Sequence, residues 1–476
     1  MCIKIFPKIS SGMCSSYSVM KVLLKHTKVP LSAHVSTSPV QLGLMTRNCA
    51  QTGVQSGVTL NNTTGEEYLG TKKSKPVVNH KPAAPKEKFS QDILEYLKSK
   101  DYLQPVLGFL PQKILKRRKR NIDVLYTVDQ DVAKKVVDLI ALDVVKGGVP
   151  VFEANPGLGF ISRGLLAAGV QRLFLCEPSL SLSQLSKELK NEFPRRIEVI
   201  SKDLFGLAKL DFQDNQDGGS RVQSLFCGVH SKEWHSDPVM KIIGVLPSLS
   251  FIRHVIQSHV FQTGIMTYGR PEFYLIMTPV LYFNLTSKPG DGYLFYRSTS
   301  VLFQLMFEWH LLEKLPRAGF LPWQAKQSTK KWAKLTKVRN VDRDCMYLVK
   351  IIPRQDFFKT VVSGDQLQPL WFFVRHHLIS RKSKVIPQLE KWISGCGPRI
   401  IMDGMTIFTE FGDLTPQEIL SLFHKFVSWP EYPVCPFIAS METSFMKMES
   451  GTDIIGKDSD DEAEEEEEEE EEDDES

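Results

Sequence analysis

Acidic residues end three short apolar runs in this sequence, and the first run leads into a glycine turn. Val149–Glu153 is followed by Asn155-Pro-Gly-Leu-Gly, in which Gly157 and Gly159 are the two glycines, and then by an amphipathic segment. This order predicts a strand, a tight turn and a helix, with the backbone free to approach a ligand at the carboxyl end of the strand. The dinucleotide-binding fingerprint requires a third glycine where Ser162 stands, so the turn is not predicted to hold a pyrophosphate.

Glu177 and Asp203 end the next two apolar runs. These runs are Leu173–Cys176 and Ile197–Ile200. In a parallel sheet, the three acids including Glu153 would lie along one rim of the same crevice. They suit a ligand with ribose hydroxyls, an adenine amino group and a cationic centre. S-adenosylmethionine has all three and no phosphate, so the sequence favours it as the cofactor, the alternative being three solvated surface acids.

The rest of the pattern predicts the elements that position this crevice. An apolar stripe at helical spacing over 132–145 should pack on the sheet. From 361 onward the pattern is helical, and Thr415, Pro416 and Glu418 form the capping box of one helix. The remaining predicted elements are strands over 238–248, 272–283 and 346–352, helices over 251–261, 302–312 and 370–379, and a polar surface insertion over 211–236.

Length and composition limit the class of protein. The 476 residues, 42% of them apolar, suit two folded domains with tails. No apolar run approaches the roughly 18 residues of a membrane helix, so no membrane association is predicted. Eight cysteines are scattered without a C-x-x-C pair, which indicates a reducing compartment and no zinc site. His376 and His377 are adjacent, so they would point to different sides of a helix, and no metal is predicted.

The net charge of +4 hides a strongly basic body. Sixteen acids and no base lie between Asp458 and Glu475, which leaves 59 basic against 39 acidic residues in the rest of the chain. A body this basic is suited to bind a polyanion, and nucleic acid is the favoured one. The segment 451–476 is predicted to be a disordered acidic tail, either a competitor for the basic surfaces or a solubility tail.

The first 65 residues contain no aspartate or glutamate, six lysines and arginines, and many hydroxyl side chains. This composition is typical of a mitochondrial presequence, and an ordinary disordered tail is the alternative. Residues 66–91, rich in proline and lysine, are predicted to be a linker.

Three basic segments are candidates for nucleic-acid contacts. The first segment, residues 116–120, is either a phosphate-binding patch or a nuclear localisation signal. The second segment, which contains Trp332, is either a nucleic-acid-binding loop whose aromatic side chain stacks on a base, or a solvated hairpin. The candidates are Lys116, Arg117, Arg118, Lys119 and Arg120 in the first segment, Lys330, Lys331 and Trp332 in the second, and Arg381 and Lys382 in the third.

Five stretches resemble the rRNA adenine-N6 dimethyltransferase family, and within it the mitochondrial branch, over about residues 115–430. The resemblance implies a Rossmann-like α/β methyltransferase domain over 92–358, with a mixed, mostly parallel seven-stranded sheet. It also implies a smaller helical domain over 359–450 and, together with the composition, a monomer in the mitochondrial matrix. The stretches are 153–159, 175–177, 202–205, 244–248 and 347–355.

The resemblance implies roles for individual residues in binding S-adenosylmethionine. Glu177 would bind the ribose and Asp203 the adenine, and Thr127 would contact the cofactor from an N-terminal lid motif. Asn155 departs from the glycine usual in the family and should narrow the loop near the amino-acid end of the cofactor. The full implied set is Thr127, Glu153, Asn155, Gly157, Gly159, Glu177 and Asp203.

The catalytic motif of the family is altered in this chain. Its pattern is Asn-Leu-Pro-aromatic, in which the asparagine aligns the target amine and the aromatic ring stacks on the flipped base. Leu246 and Pro247 match, but Val245 replaces the asparagine and Ser248 the aromatic residue. Losing one positioned contact typically costs about a hundredfold in rate, so efficient dimethylation is not expected.

Three hypotheses follow. The first is a mitochondrial transcription initiation factor that helps the organelle's RNA polymerase to open promoter DNA. The second is a working enzyme that dimethylates adjacent adenines in mitochondrial small-subunit rRNA. The third is a nuclear rRNA methyltransferase. The acid-free N-terminus disfavours the third hypothesis, and the altered motif favours the first over the second.

Overall fold

The computed structural model of the chain describes residues 90–117, 122–291, 295–324 and 344–449. Several predicted features lie outside the described residues. These are the presequence 1–65, the linker except for its last two residues, the acidic tail 451–476, and the candidate nucleic-acid residues Arg118, Lys119, Arg120, Lys330, Lys331 and Trp332.

Nine strands are present in the described ranges. They are β1 (Tyr126–Thr127), β2 (Val151–Ala154), β3 (Leu173–Cys176), β4 (Ile197–Ile200), β5 (Met240–Val245), β6 (Pro271–Met277), β7 (Phe307–Pro316), β8 (Phe320–Leu321) and β9 (Cys345–Pro353).

The α-helices of the same ranges lie between and after these strands. They are α1 (Gln91–Lys98), α2 (Gln130–Val145), α3 (Phe160–Ala167), α4 (Leu180–Glu192), α5 (Leu207–Asp217), α6 (Arg221–Leu225), α7 (Ser250–Phe261), α8 (Pro279–Thr286), α9 (Ser298–Met306), α10 (Phe357–Thr360), α11 (Leu367–His377), α12 (Val385–Glu390), α13 (Gly397–Met402), α14 (Pro416–Ser428) and α15 (Pro436–Glu449).

Seven of the strands form one sheet in the order β4-β3-β2-β5-β6-β9-β7. Strands β4, β3, β2, β5 and β6 are parallel, and β9 is antiparallel to both of its neighbours, β6 and β7. Strands β1 and β8 form a separate antiparallel pair. The predicted mixed, mostly parallel seven-stranded sheet is therefore confirmed.

The central strands are apolar because helices cover both faces of the sheet. On β5, Ile242 belongs to an apolar cluster with α7, α9 and the C-terminal helices. Its neighbour Ile243 belongs to a second cluster with α2 and α3. Successive side chains of a strand point to opposite faces, so both must be apolar here. This explains why the strands read as continuous apolar runs rather than alternating ones.

Side-chain hydrogen bonds fix the starts of two helices, α2 and α14. The carboxylate of Asp129 caps α2 by accepting hydrogen bonds from the backbone N–H groups of Asp131 and Val132. At α14, Thr415 and Glu418 form a reciprocal capping box with Pro416 in the first turn, as predicted.

Three predicted elements were wrong in part. The strand predicted over 272–283 ends at Met277, because Thr278 caps α8 and Pro279 cannot donate to a sheet ladder. The helix predicted over 302–312 ends at Met306, and β7 then continues to 316 as an edge strand. The segment 211–236, predicted as a polar surface insertion, contains the end of α5 and all of α6, which buries apolar side chains against the core.

The C-terminal helices share the larger apolar cluster with the sheet. Helix α11 packs on α7 and α9, and α14 packs on α9 and α11. Phe373 on α11 is fully buried among aromatic rings that include Phe423 and Phe426 of α14. The division of the folded part at residue 358 stays a prediction.

Across the described ranges, no helix combines the length and the apolar character needed to cross a membrane. The same ranges contain no group of three or more His, Cys, Asp or Glu side chains arranged to hold a metal ion.

Candidate cofactor site

The candidate site lies where the order of the strands reverses. From β2 the chain proceeds outward through β3 and β4, and it then returns to place β5 on the other side of β2. Ligands of open α/β sheets bind in the crevice outside the carboxyl ends of the strands at such a switch point. The loops that follow β2, β3, β4 and β5 therefore meet at one crevice.

The turn after β2 has a backbone that few residue types adopt. Asn155, Gly157 and Gly159 have φ angles of 53°, 58° and 75°, which is the left-handed region. A Cβ atom at position 157 would lie 2.8 Å from Cδ1 of Tyr126, so glycine is required there by space as well as by conformation. The turn brings its N–H groups close to the neighbouring strand end.

Glu177 directly follows β3 and is fully buried. Its Oε2 accepts a hydrogen bond from the N–H of Gly157 at 3.1 Å. Its Oε1 accepts one from the N–H of Ser179 at 2.9 Å and one from the hydroxyl of Tyr126 at 3.2 Å. Burial raises the pKa of the Glu177 carboxyl, and these hydrogen bonds oppose that shift. The carboxylate is thus oriented in the crevice from three sides.

Glu153 differs from the strand-end position predicted for it, because it lies within β2, one residue before the end. Its side chain is 3% exposed, and Oε2 accepts a hydrogen bond of 2.6 Å from Ser162 Oγ. Burial, together with the nearby charge of Glu177, raises the pKa of Glu153 to about 7 despite that hydrogen bond. In the sequence, Ser162 was identified only as a replacement for the third glycine of the dinucleotide fingerprint. In the structure, its hydroxyl is the hydrogen-bond donor to Glu153.

The Asn155 amide has no hydrogen-bond partner within the described ranges. The residue is 5% exposed, and neither Oδ1 nor Nδ2 forms a hydrogen bond there. Buried polar groups are normally paired, so this amide is available to a bound ligand. Together with the Glu177 carboxylate it fits S-adenosylmethionine, whose ribose and amino-acid groups need both acceptors and donors.

Asp203 lies beyond the end of β4, and its Oδ1 accepts a hydrogen bond from the N–H of Phe205 at 3.0 Å. Burial raises the pKa of this carboxyl, and backbone N–H groups oppose the shift. Next to Asp203 is a cleft of about 220 Å³ that extends to the turn after β5. The cleft is lined by Asp123, Asp203, Phe205, Gly206, Pro247, Ser248, Ser250 and Phe251.

The four residues of the altered motif surround the end of β5. Val245 is its last residue, and its side chain is 3% exposed in the apolar cluster that contains Ile243 and Ile276. Leu246 is buried and donates its N–H to the Ile276 carbonyl at 2.7 Å. Ser248 is exposed at the cleft, with its Oγ 2.8 Å from Ser250 Oγ. At positions 245 and 248 the rim thus has neither a side-chain amide nor an aromatic ring.

The segment before α2 covers one side of the crevice. Tyr126 lies against Gly157 and Glu177, and Thr127 is buried but points to the opposite face of β1. The carboxylate of Asp129 fixes this cover in place. Its Oδ2 accepts a hydrogen bond from the Tyr96 hydroxyl at 2.8 Å and lies 3.2 Å from Lys100 Nζ. The family resemblance implied that Thr127 contacts the cofactor. The contact to the acid comes from Tyr126 beside it.

The described basic candidates make different local contacts. Arg117 pairs with Asp92, donates a hydrogen bond of 2.8 Å to the Gln324 carbonyl, and lies over the Trp323 ring. Arg381 is half-buried and donates to the Gly412 carbonyl. Lys116 is half-buried and Lys382 is exposed.

Comparison with known proteins identifies the family. The family model for ribosomal RNA adenine dimethylase matches residues 116–426. Dimethyladenosine transferase 2, mitochondrial, of Drosophila melanogaster is 35% identical over 397 residues, which cover 75% of this chain and 88% of that protein. The protein of the same name from Homo sapiens is 25% identical over 285 residues, covering 57% of this chain and 70% of that protein.

Solved structures of two methyltransferases are also similar. The 23S rRNA methyltransferase ErmE aligns with a TM-score of 0.40 and 16% identity, covering 63% of this chain and 99% of that one. A dimethyladenosine transferase from Plasmodium falciparum aligns with a TM-score of 0.40 and 11% identity, covering 63% and 97%.

The family match spans the glycine turn, all three acids and the altered motif, as the resemblance in the sequence predicted. The chain belongs to the ribosomal RNA adenine dimethylase family, whose members are S-adenosylmethionine-dependent rRNA adenine methyltransferases.

Proposed function

We propose that this chain acts as a mitochondrial transcription initiation factor on a methyltransferase fold. It binds S-adenosylmethionine, retains weak or residual methyl transfer, and helps the mitochondrial RNA polymerase to open promoter DNA in the matrix nucleoid. The observation that carries this proposal is the pair Val245 and Ser248 at the rim of the crevice, where the family has an asparagine and an aromatic residue.

Bound S-adenosylmethionine supplies an electrophilic methyl group, and the protein must hold the adenine amine in line with it. The buried Val245 side chain offers no acceptor to that amine. Ser248 offers no ring on which a flipped base could stack, and its hydroxyl is already within hydrogen-bond distance of Ser250. The backbone carbonyls of the motif remain, which supports a trace of activity rather than efficient catalysis.

The residues proposed to contact S-adenosylmethionine support the proposal that the chain binds this cofactor. Glu177 is oriented by three hydrogen bonds, and the Asn155 amide is unpaired within the described ranges. By the family pattern Glu177 would hold the ribose and Asp203 the adenine. Asn155, Gly157 and Gly159 would line the amino-acid end, with Thr127 and Glu153 behind them.

The proposed partners are promoter DNA, the mitochondrial RNA polymerase and mitochondrial small-subunit rRNA, with the protein acting as a monomer. The basic composition of the body supports contact with nucleic acid. The mitochondrial location rests on the acid-free first 65 residues and on relatives whose names include the word mitochondrial. A reporter fused to residues 1–65 should enter mitochondria, and a cytosolic or nuclear signal would contradict this location.

A second candidate function is favoured by the same cofactor residues. A chain that keeps an intact ribose-binding acid could still dimethylate adjacent adenines of mitochondrial small-subunit rRNA. Two assays on one purified sample distinguish the functions: run-off transcription with the cognate polymerase, and methyl transfer to an rRNA hairpin. We expect promoter-dependent transcription with feeble methylation. Methylation at the rates of efficient family members would favour the second function.

Repair of the motif tests the reason for weak methylation. Ser248→Tyr should raise methyl transfer, because position 248 is exposed at the cleft and a ring there costs no core packing. Ser250→Tyr is the matched control, since it places the same ring two residues away. Val245→Asn restores the acceptor but buries an amide in an apolar cluster, so its thermal unfolding must be measured together with its activity.

A further inference from the structure

The hydroxyl of Tyr126 is a donor to the acid that should bind the ribose. Tyr126 is 1% exposed, and its ring lies so close to Gly157 that no side chain fits at that position. Its hydroxyl donates to Oε1 of Glu177 at 3.2 Å. No other side chain within the described ranges donates a hydrogen bond to that carboxylate.

The acceptor capacity of Glu177 is nearly full. A carboxylate accepts about four hydrogen bonds, two for each oxygen. Oε1 accepts from Ser179 and Tyr126, and Oε2 accepts from Gly157. One acceptor position therefore remains, whereas a ribose diol can donate two hydrogen bonds.

The three present donors differ in how easily they can leave. The N–H of Gly157 belongs to the tight turn after β2, and the N–H of Ser179 belongs to the cap residue of α4. Neither can move without rebuilding the backbone. The Tyr126 backbone is likewise fixed by pairing with Leu321 in β8, but a hydroxyl at the end of a side chain needs only a small shift.

We propose that Tyr126 is a specificity-determining residue that competes with the ribose diol of the cofactor for Glu177. Binding of a nucleoside with two free hydroxyls exchanges the tyrosine hydrogen bond for one from the ribose. The cover itself stays in place, because Asp129 and the backbone pairing of β1 with β8 hold it independently of the Tyr126 hydroxyl. The proposal rests on the cofactor of the family and is independent of any role in transcription.

Tyr126→Phe tests this proposal by calorimetry of the full-length protein with S-adenosylhomocysteine. The ring stays packed on Gly157 while the competing donor is removed. We expect binding to become roughly three- to tenfold tighter, the value of one hydrogen bond. Tyr296→Phe is the matched control, because it removes a buried tyrosine hydroxyl that donates to the Leu414 carbonyl beside the C-terminal helices, and it should leave affinity unchanged.

The 2′-deoxy analogue of S-adenosylhomocysteine provides the second arm. It donates one ribose hydrogen bond and can use the remaining acceptor position, so Tyr126→Phe should give it little gain. Equal or weaker binding of the diol ligand by Tyr126→Phe would overturn the proposal. An equal gain for both ligands, or no binding by either protein at millimolar ligand, would overturn it as well.

Discussion

The carboxyl edge of the central sheet, where the parallel strands end, and its amino edge, where they begin, differ in how their acids are paired. At the carboxyl edge, no lysine or arginine of the described ranges forms an ion pair with Glu153, Glu177 or Asp203. At the amino edge, Glu272 is also buried, but its Oε1 lies 2.8 Å from Lys350 Nζ and its Oε2 lies 3.5 Å from Lys241 Nζ. Within the described ranges, one edge leaves its carboxylates without a cationic partner, and the other pairs its carboxylate with lysines.

The pKa shifts follow the same division. Burial raises the pKa of each of the three acids in the crevice. At the amino edge, a hydrogen bond from Lys350 lowers the pKa of Asp143, whose side chain fixes the end of α2 to the sheet. Unpaired buried acids cost stability, and binding sites commonly carry such a cost. One sheet therefore carries a cluster of paired, stabilising charges at one edge and a group of unpaired acids at the other.

Removing Lys241 should have the largest effect on stability. The Lys241→Met variant keeps the apolar stem, but it leaves the Lys146 carbonyl without the 2.9 Å hydrogen bond from Lys241 and Glu272 with Lys350 alone. We expect the free energy of unfolding to fall by about 3–5 kcal/mol in urea titrations, because the Asp143 and Lys146 carbonyls both lose their lysine donor, at about 1–3 kcal/mol for each unsatisfied group. Affinity of the folded protein for S-adenosylhomocysteine should not change.

The matched control for Lys241 is an exposed ion pair on another part of the molecule. Arg163 and Glu192 pair at 2.7 Å with both side chains about half exposed. Arg163→Met should cost no more than about 1 kcal/mol. Equal losses for the two variants would remove the distinction between a buried cluster and a surface pair.

Glu153 should make stability depend on pH in a direction opposite to that of a paired acid. Its pKa rises from 4.5 to about 7 on folding, so the native state holds the proton more tightly. Stability is therefore full below about pH 4.5 and falls as pH rises to about 7, by about 3 kcal/mol in total. Glu153→Gln removes this titration. The stability of the variant relative to wild type should increase by nearly that amount between pH 5 and pH 8.

Denaturant titrations of both proteins at the two pH values measure this difference. The constant cost of placing an amide beside Ser162 cancels between them, as do all other titrating groups. A difference that is independent of pH would mean that Glu153 is ionised in the native state at pH 5.

Some of these features could be read from the sequence, because their signals are local. A run of apolar residues and the acid that ends it are adjacent in the chain, so Glu177 and Asp203 could be placed at one rim. The capping box at Thr415 is equally local. The wrong elements at 272–283 and 302–312 also have a local cause: an apolar run continues through a point where Thr278 or Phe307 changes the structure.

Other features depend on contacts that no short pattern contains. Tyr126 and Glu177 are 51 residues apart, and Lys241 and Asp143 are 98 apart. Burial of Lys241 also contradicts the usual exposure of lysine, so it could be expected only once the fold placed it beside Glu272. The sequence thus predicts which acids lie at the crevice, but not which groups donate hydrogen bonds to them.

Cofactor affinity should depend on Glu177 more than on Glu153. Glu177→Gln should weaken binding of S-adenosylhomocysteine at least tenfold, because a hydrogen bond to a charged group contributes about 1.5–3 kcal/mol. Glu153→Gln should change affinity less, because its carboxyl is bonded to Ser162 behind the turn. Calorimetry at pH 8 measures both, and the reverse order would contradict the assigned roles.

The amide of Asn155, which has no partner within the described ranges, should contribute less to affinity than Glu177. Glycine adopts its φ of 53° without strain, so Asn155→Gly removes the amide and keeps the turn. We expect binding of S-adenosylhomocysteine to weaken roughly three- to tenfold, the value of one hydrogen bond. Gln262, with a φ of 51°, follows α7 and offers a matched control for the change to glycine. Gln262→Gly should shift stability by a similar small amount and leave affinity unchanged. If Asn155→Gly binds as tightly as wild type, the amide is unpaired in the complex as well, and the crevice holds its ligand through the acids and backbone alone.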